Sequence, residues 1–251
     1  MIEVDQSLSF NRALVEKYDR PGPRYTSYPT APQFHQAFAL DDYHAAAQAS
    51  NQAAAPKALS LYIHIPFCKS LCYYCACNKI ITQKTHRAVE YLNYLKREIA
   101  MQAALFDRTR TLRQLHLGGG TPTYLTREQL AELMDCLHQA FNLDDSDEHE
   151  FSIEVDPRTI STEQIEHLRQ LGFNRLSFGV QDFDPDVQAA VNRQQSEEQI
   201  YALVAAARAA QFKSVSVDLI YGLPLQTVAS FDVTLSKIIA LRPDRIAAYS
   251  Y

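Results

Sequence analysis

Tyr62-Ile63-His64-Ile65-Pro66-Phe67-Cys68-Lys69-Ser70-Leu71-Cys72-Tyr73-Tyr74-Cys75-Ala76-Cys77 joins two signals that together set the fold. The first half alternates apolar and polar residues, the period of a strand with one buried face. The second half packs four of the chain's five cysteines into ten residues. Thiolates suit zinc and iron–sulfur clusters. Zinc would use Cys68, Cys72, Cys75 and Cys77 and close the site, although Cys75-x-Cys77 is cramped beside two further ligands. Cys68, Cys72 and Cys75, as C-x3-C-x2-C, instead leave three ligands for a [4Fe–4S] cluster with four iron corners. One iron then stays open to bind something else.

Downstream of this stretch the pattern is regular. The spacing predicts strands over 59–67, 114–118, 151–156, 175–181, 214–220 and 245–251, with helices near 86–105, 126–141, 162–171, 197–210 and 229–240. Leu130, Leu133, Met134, Leu137 and Phe141 recur at helical spacing. Thr126-x-x-Gln129, Ser161-x-x-Gln164 and Ser196-x-x-Gln199 each fit a capping box. Strands alternating with helices imply a parallel sheet with right-handed crossovers. One strand face is apolar (Ile63 and Ile65, Leu115 and Leu117, Ile153 and Val155, Phe178 and Val180, Val217 and Leu219). The other is polar or small (Tyr62 and His64, His116 and Gly118, Ser152 and Glu154, Ser177 and Gly179, Ser216 and Asp218). An ordinary eight-stranded α/β barrel fills its interior with branched apolar layers. A polar inner face predicts a barrel with a wet, roomy lumen. The cysteines fall at the C-terminal end of its first strand, where parallel α/β folds place their sites.

Residues 1–58 read as an irregular N-terminal segment with one short Ala-rich helix between Asp41 and Ala55. Residues 59–251 read as the barrel, ending at a strand with no helix to cover it, which points to a fragment of a longer protein. A net charge of −5 argues against broad nucleic-acid binding. No apolar run reaches the roughly 18 residues of a membrane span, and the N-terminus has no secretion-signal core. Clustered thiols outside a disulfide framework point to a reducing compartment, the cytoplasm.

Gly118-Gly119-Gly120-Thr121-Pro122 follows the second strand and exceeds what a turn needs, in a chain with only seven glycines. Bare backbone there could approach a ligand closely. With C-x3-C-x2-C after the first strand and Tyr74 before the third cysteine, the chain resembles the radical S-adenosylmethionine (SAM) superfamily. Further stretches are similar to its oxygen-independent coproporphyrinogen III oxidase family: Tyr62 to Cys68, Gly118 to Thr123, Ile153 to Pro157, Gly179-Val180-Gln181, Asn192-Arg193, Asp218 to Pro224, Cys77, and Gly22 to Thr30.

The resemblance implies a radical-SAM-type partial (β/α)6 barrel and an oxidoreductase of porphyrin and haem biosynthesis. Cys68, Cys72 and Cys75 would ligate the cluster, whose open iron chelates SAM. One electron would cleave the sulfonium to methionine and a 5′-deoxyadenosyl radical. Tyr62, Tyr74, Gly119 and Glu154 would contact that SAM. Gly120, Thr121, Gln181, Arg193 and Asp218 would line a second SAM site. Cys77, Tyr62 and Arg24 are the candidates for catalysis, Arg24 as a clamp on a substrate carboxylate. The substrate would be coproporphyrinogen III, two of whose propionates become vinyl groups as carbon dioxide leaves. An unidentified reductant and an electron acceptor would complete the cycle, with the protein a monomer. The family's further C-terminal domain has no counterpart in this chain. Two other readings stand beside this one: a haem-binding, haem-transferring relative, and a zinc-stabilised structural module. His64 and His116 face the expected lumen, and Cys136 sits on the second barrel helix as a small hydrophobe.

Overall fold

The structure, a computed structural model, describes residues 10–20, 30–146 and 148–251. Arg24 and nearly all of the segment from Gly22 to Thr30 lie outside the described residues. The chain divides into two compact units, residues 1–47 and 48–251. In the first, helix α1 (Arg12–Tyr18) was not expected. It is held by local chemistry: the Asn11 side chain accepts from the Leu14 amide and Arg12 pairs with Glu16 one turn on. The Ala-rich stretch forms α2 (Leu40–Asn51), whose last residues enter the second unit.

The second unit alternates strands and helices as expected. Its six main strands are β1 (Leu59–Ile65), β4 (Thr111–Gly119), β6 (Glu150–Val155), β7 (Arg175–Gln181), β8 (Ser214–Tyr221) and β9 (Arg245–Ser250). They lie side by side in chain order, all parallel. Between them run α3 (His86–Ala103), α4 (Arg127–Ala140), α5 (Thr162–Gln170), α6 (Pro185–Ala190), α7 (Glu197–Ala209) and α8 (Val228–Leu241). A two-residue strand, β5 (Asn142–Leu143), adds to the start of β4. The pattern of burial follows the period-two reading: in β6, Phe151, Ile153 and Val155 are buried, while Glu150, Ser152 and Glu154 are half-buried. Ile65, Leu117, Ile153, Phe178, Val180, Val217 and Leu219 are fully buried.

The sheet curls. Laid flat at about 4.8 Å per strand, its outer strands would stand about 24 Å apart. Yet Ser60 of β1 and Arg245 of β9 line one cavity of about 580 Å³. Among the described residues β1 and β9 do not pair, so the barrel is partial and open on one side.

Three expectations differ in detail. The first strand stops at Ile65, because Pro66 has no amide to donate to a ladder. The chain resumes as β2 (Phe67–Cys68), which pairs with β3 (Ile80–Ile81) in a small parallel sheet closing the cysteine loop at its base. Helix α6 was not anticipated; Asp184 caps it by accepting from the Asp186 and Val187 amides. The Thr126 and Ser161 boxes form, but the one at Ser196 is half-made. Ser196 accepts from the Gln199 amide, while the Gln199 side chain donates to the Pro157 carbonyl 2.7 Å away.

Candidate active site

The cysteine loop runs from β2 to β3 across the C-terminal ends of the strands. It is pinned at several points. The Ile80 and Thr82 amides donate to the Pro66 and Cys68 carbonyls. The Tyr73 amide donates to the Val191 carbonyl, and the Asn192 side chain donates to the Leu71 carbonyl at 2.6 Å. Lys79 Nζ caps the carbonyls of Cys75 at 2.7 Å and Cys77 at 3.4 Å.

The loop covers a cavity of about 340 Å³. Cys68, Cys72, Tyr74, Cys75, Cys77, Gly119, Gly120, Thr121, Glu154, Gln181, Arg193 and Asp218 all line it, from the cysteine loop, β4, β6, β7, β8 and the segment after α6. Tyr62 does not. Its ring is 56% exposed, lies stacked on His116, and its hydroxyl meets His64 Nδ1 at 2.9 Å. Burial, then the charges of Glu154 and Cys77, raise the Tyr62 phenol's pKa, so it stays protonated. His64 reaches the Asn78 carbonyl at 2.8 Å and so ties the far end of the cysteine loop to β1. His116 bridges Ser152 and Glu154 on the inner face, as expected of a lumen histidine.

The glycine segment makes the close approach that its composition implies. A Cβ on Gly120 would lie 2.8 Å from the Pro66 and Phe67 carbonyl oxygens, which are backbone and cannot yield. Gly119 has φ +117°, and a Cβ there would strike the His64 ring at 2.8 Å. We expect Gly120→Ala to cost about 2 kcal/mol by overpacking and to displace the start of the cysteine loop. Chemical unfolding together with iron retention after reconstitution checks this; unchanged stability and iron content would refute it.

Opposite the glycines, β7 ends in strain. Gln181 adopts φ 69°, in the left-handed region, at a register shift against β8. Its Oε1 is buried with no hydrogen-bond partner, so the cavity wall carries an acceptor awaiting a donor. Beside it, a Cβ on Gly179 would lie 2.7 Å from Arg193 Nη2 and would push that guanidinium aside.

One arrangement escaped the sequence. Arg158 and Arg193 both converge on Asp156 and on Cys72. Arg158 donates to Asp156 Oδ2 at 2.7 Å and to Cys72 Sγ at 3.4 Å; Arg193 donates to the same two atoms at 3.4 and 3.5 Å. Burial opposes ionisation of Asp156, but the two guanidiniums hold its carboxyl below the usual range. Arg158 follows the recognised Asp156-Pro157 pair by one residue, and a cation at a strand's C-terminal end was the signal available.

The donor set fits an iron–sulfur cluster. Two guanidiniums donate to the buried Cys72 sulfur and fix its position at the cavity wall. Burial raises the Cys68 thiol's pKa, which the hydrogen bond with Thr121 partly offsets, so metal must drive its deprotonation. Cys77 has no guanidinium beside it; burial and then Cys75 push it up to about 11. Among the described residues no three His, Cys, Asp or Glu side chains converge as ligands of a single ion. A cubane's thiolates bind different iron corners and need no such convergence.

The model of the radical SAM superfamily matches residues 62–238. Oxygen-independent coproporphyrinogen III oxidases of Pseudomonas aeruginosa and Escherichia coli are each 49% identical to the chain over 98% of its length, covering 53% and 52% of their own. The chain therefore spans about half the length of the curated relatives it matches. The solved structure of coproporphyrinogen III oxidase (HemN) from Escherichia coli, described as a radical SAM enzyme, superposes with a TM-score of 0.86 at 48% identity. That match covers 98% of this chain and 54% of the other.

Proposed function

The chain belongs to the radical SAM superfamily, and we propose that it serves the oxidative decarboxylation of two propionate side chains of coproporphyrinogen III to vinyl groups. The observation that carries the reading is the single cavity lined by the three-cysteine loop, the glycine segment and Glu154, Gln181, Arg193 and Asp218. Beside it stands the 49% identity of the chain to oxidases of this name. A [4Fe–4S] cluster with SAM supplies one-electron chemistry strong enough to break an aliphatic C–H bond, which side-chain acids and bases cannot do.

In this reading Cys68, Cys72 and Cys75 hold the cluster, and Arg158 and Arg193 position the Cys72 sulfur by donating to it. Cys77 stays a neutral thiol at the rim. The bare backbone of Gly119 and the Glu154 carboxylate receive the amino end of SAM; Tyr74 closes the side of the cavity. Gly120, Thr121, Gln181, Arg193 and Asp218 hold a second SAM, with the Gln181 Oε1 accepting from it. Tyr62, outside the cavity wall, acts through His64 on the cysteine loop. Arg24 retains its proposed part as a carboxylate clamp. The protein would work as a cytoplasmic monomer with a separate reductant and electron acceptor. Among the described residues no helix is long and apolar enough to cross a membrane.

Anaerobic protein given reductant, SAM, coproporphyrinogen III and a one-electron acceptor for the electron released with each carbon dioxide should form protoporphyrinogen IX, read by fluorescence after oxidation. SAM cleavage without any decarboxylated product would contradict the substrate assignment.

A further inference from the structure

Below the cysteine cavity lies the larger cavity of the lumen, which the assignments above leave without an occupant. The two share Glu154, Ser177, Asp218 and Tyr249 in their walls, so they adjoin. The lumen is roomy because its middle carries small residues: Ser152, Ser177 and Ser216 line it from adjacent strands. The acids Glu154 and Asp218 stand where the two cavities adjoin. Arg175 and Arg245, each the first residue of its strand, stand with the acid Glu150 at the floor, the part of the wall that the upper cavity does not share.

The floor cations are incompletely used. Arg175 Nη2 pairs with Glu150, but its Nε is buried with no partner. Arg245 lines the lumen, and among the described residues its side chain makes no ion pair or hydrogen bond. A guanidinium facing a serine-lined chamber is suited to a carboxylate, which it can grip with two parallel hydrogen bonds. From Arg245 to Tyr249, in the wall of the upper cavity, β9 climbs about 13 Å. That span lets one side chain of a large polycarboxylate react above while another is held below.

We infer that the lumen floor is a carboxylate site. Arg245, backed by Arg175, receives a second propionate of the tetrapyrrole whose reacting propionate lies at the upper cavity. The inference rests on the oxidase reading and adds the group that orients the substrate.

The test is binding, without turnover. Coproporphyrin III, the oxidised tetra-acid, and its tetramethyl ester are titrated by fluorescence into the anaerobically purified chain and into Arg245→Gln, Arg175→Gln and Arg97→Gln. Arg97 lies on α3, outside the lumen walls, and controls for net charge. The free acid should bind the unmodified chain better than the ester. Arg245→Gln should weaken the acid about tenfold and erase most of that preference, while Arg97→Gln changes neither. Arg245 is exposed, so its variant folds even if loss of the Glu150 pair harms Arg175→Gln. Acid binding that survives Arg245→Gln within twofold overturns the floor site and leaves the oxidase reading intact. Failure of the unmodified chain to bind the acid overturns both.

Discussion

Cys72→Ala abolishes cluster assembly, whereas Cys77→Ala leaves it in place. The two thiols sit five residues apart on one loop but in different surroundings. Cys72 is 8% exposed and receives hydrogen bonds from two guanidiniums. Removing it takes away a proposed ligand and leaves Arg158 and Arg193 facing an emptied position. Cys77 is exposed, and its thiol is held neutral. Iron and sulfide per chain after anaerobic reconstitution separate the two. Near-complete loss is expected for Cys72→Ala and near-wild-type content for Cys77→Ala. Equal loss in both would mean that all four clustered cysteines act as ligands, as a closed zinc-like site requires.

Asp218→Asn makes the cofactor-free protein more stable at neutral pH and weakens its hold on SAM. Burial, reinforced by the charge of Glu154 and only partly offset by a hydrogen bond from Ser177, lifts the Asp218 carboxyl to about 6. The ordinary value is about 3.9, so the folded state holds this proton more tightly than the unfolded chain does. Stability from this group is therefore full below about pH 4 and is lost as pH rises through about 6, leaving a penalty of about 3 kcal/mol above that. Asn cannot ionise and can still accept from Ser177, so it escapes the penalty. Denaturant unfolding at a series of pH values should show the variant gaining on the parent between about pH 4 and 7 and keeping that lead. A difference that does not vary with pH would contradict the buried, reluctant charge. The same variant should bind SAM more weakly, since Asp218 lines the cavity with a carboxylate suited to ribose hydroxyls or an ammonium.

Much of this was legible in the chain because strands write their burial into alternation. Ile153-Glu154-Val155 and Ser216-Val217-Asp218 announce both the buried face and the inner polar face, and the structure follows them residue by residue. The cysteine spacing and the glycine triplet were equally plain, since each is a local constraint. What stayed hidden depends on distant partners. Nothing near Arg158 in the sequence says that it meets Arg193 over one sulfur from a loop some eighty residues earlier. The strain at Gln181 arises from a register shift against β8, which no local propensity records. The half-made box at Ser196 arises because the Gln199 side chain turns away to donate to the Pro157 carbonyl. The break at Pro66, by contrast, was readable, since proline cannot donate to a ladder.

The account turns on what the cysteine loop holds. Elemental and sulfide analysis of the wild-type chain, purified and reconstituted without oxygen, tests this most directly. The account predicts about four iron and four sulfide per chain. Stoichiometric zinc with neither iron nor sulfide would contradict it.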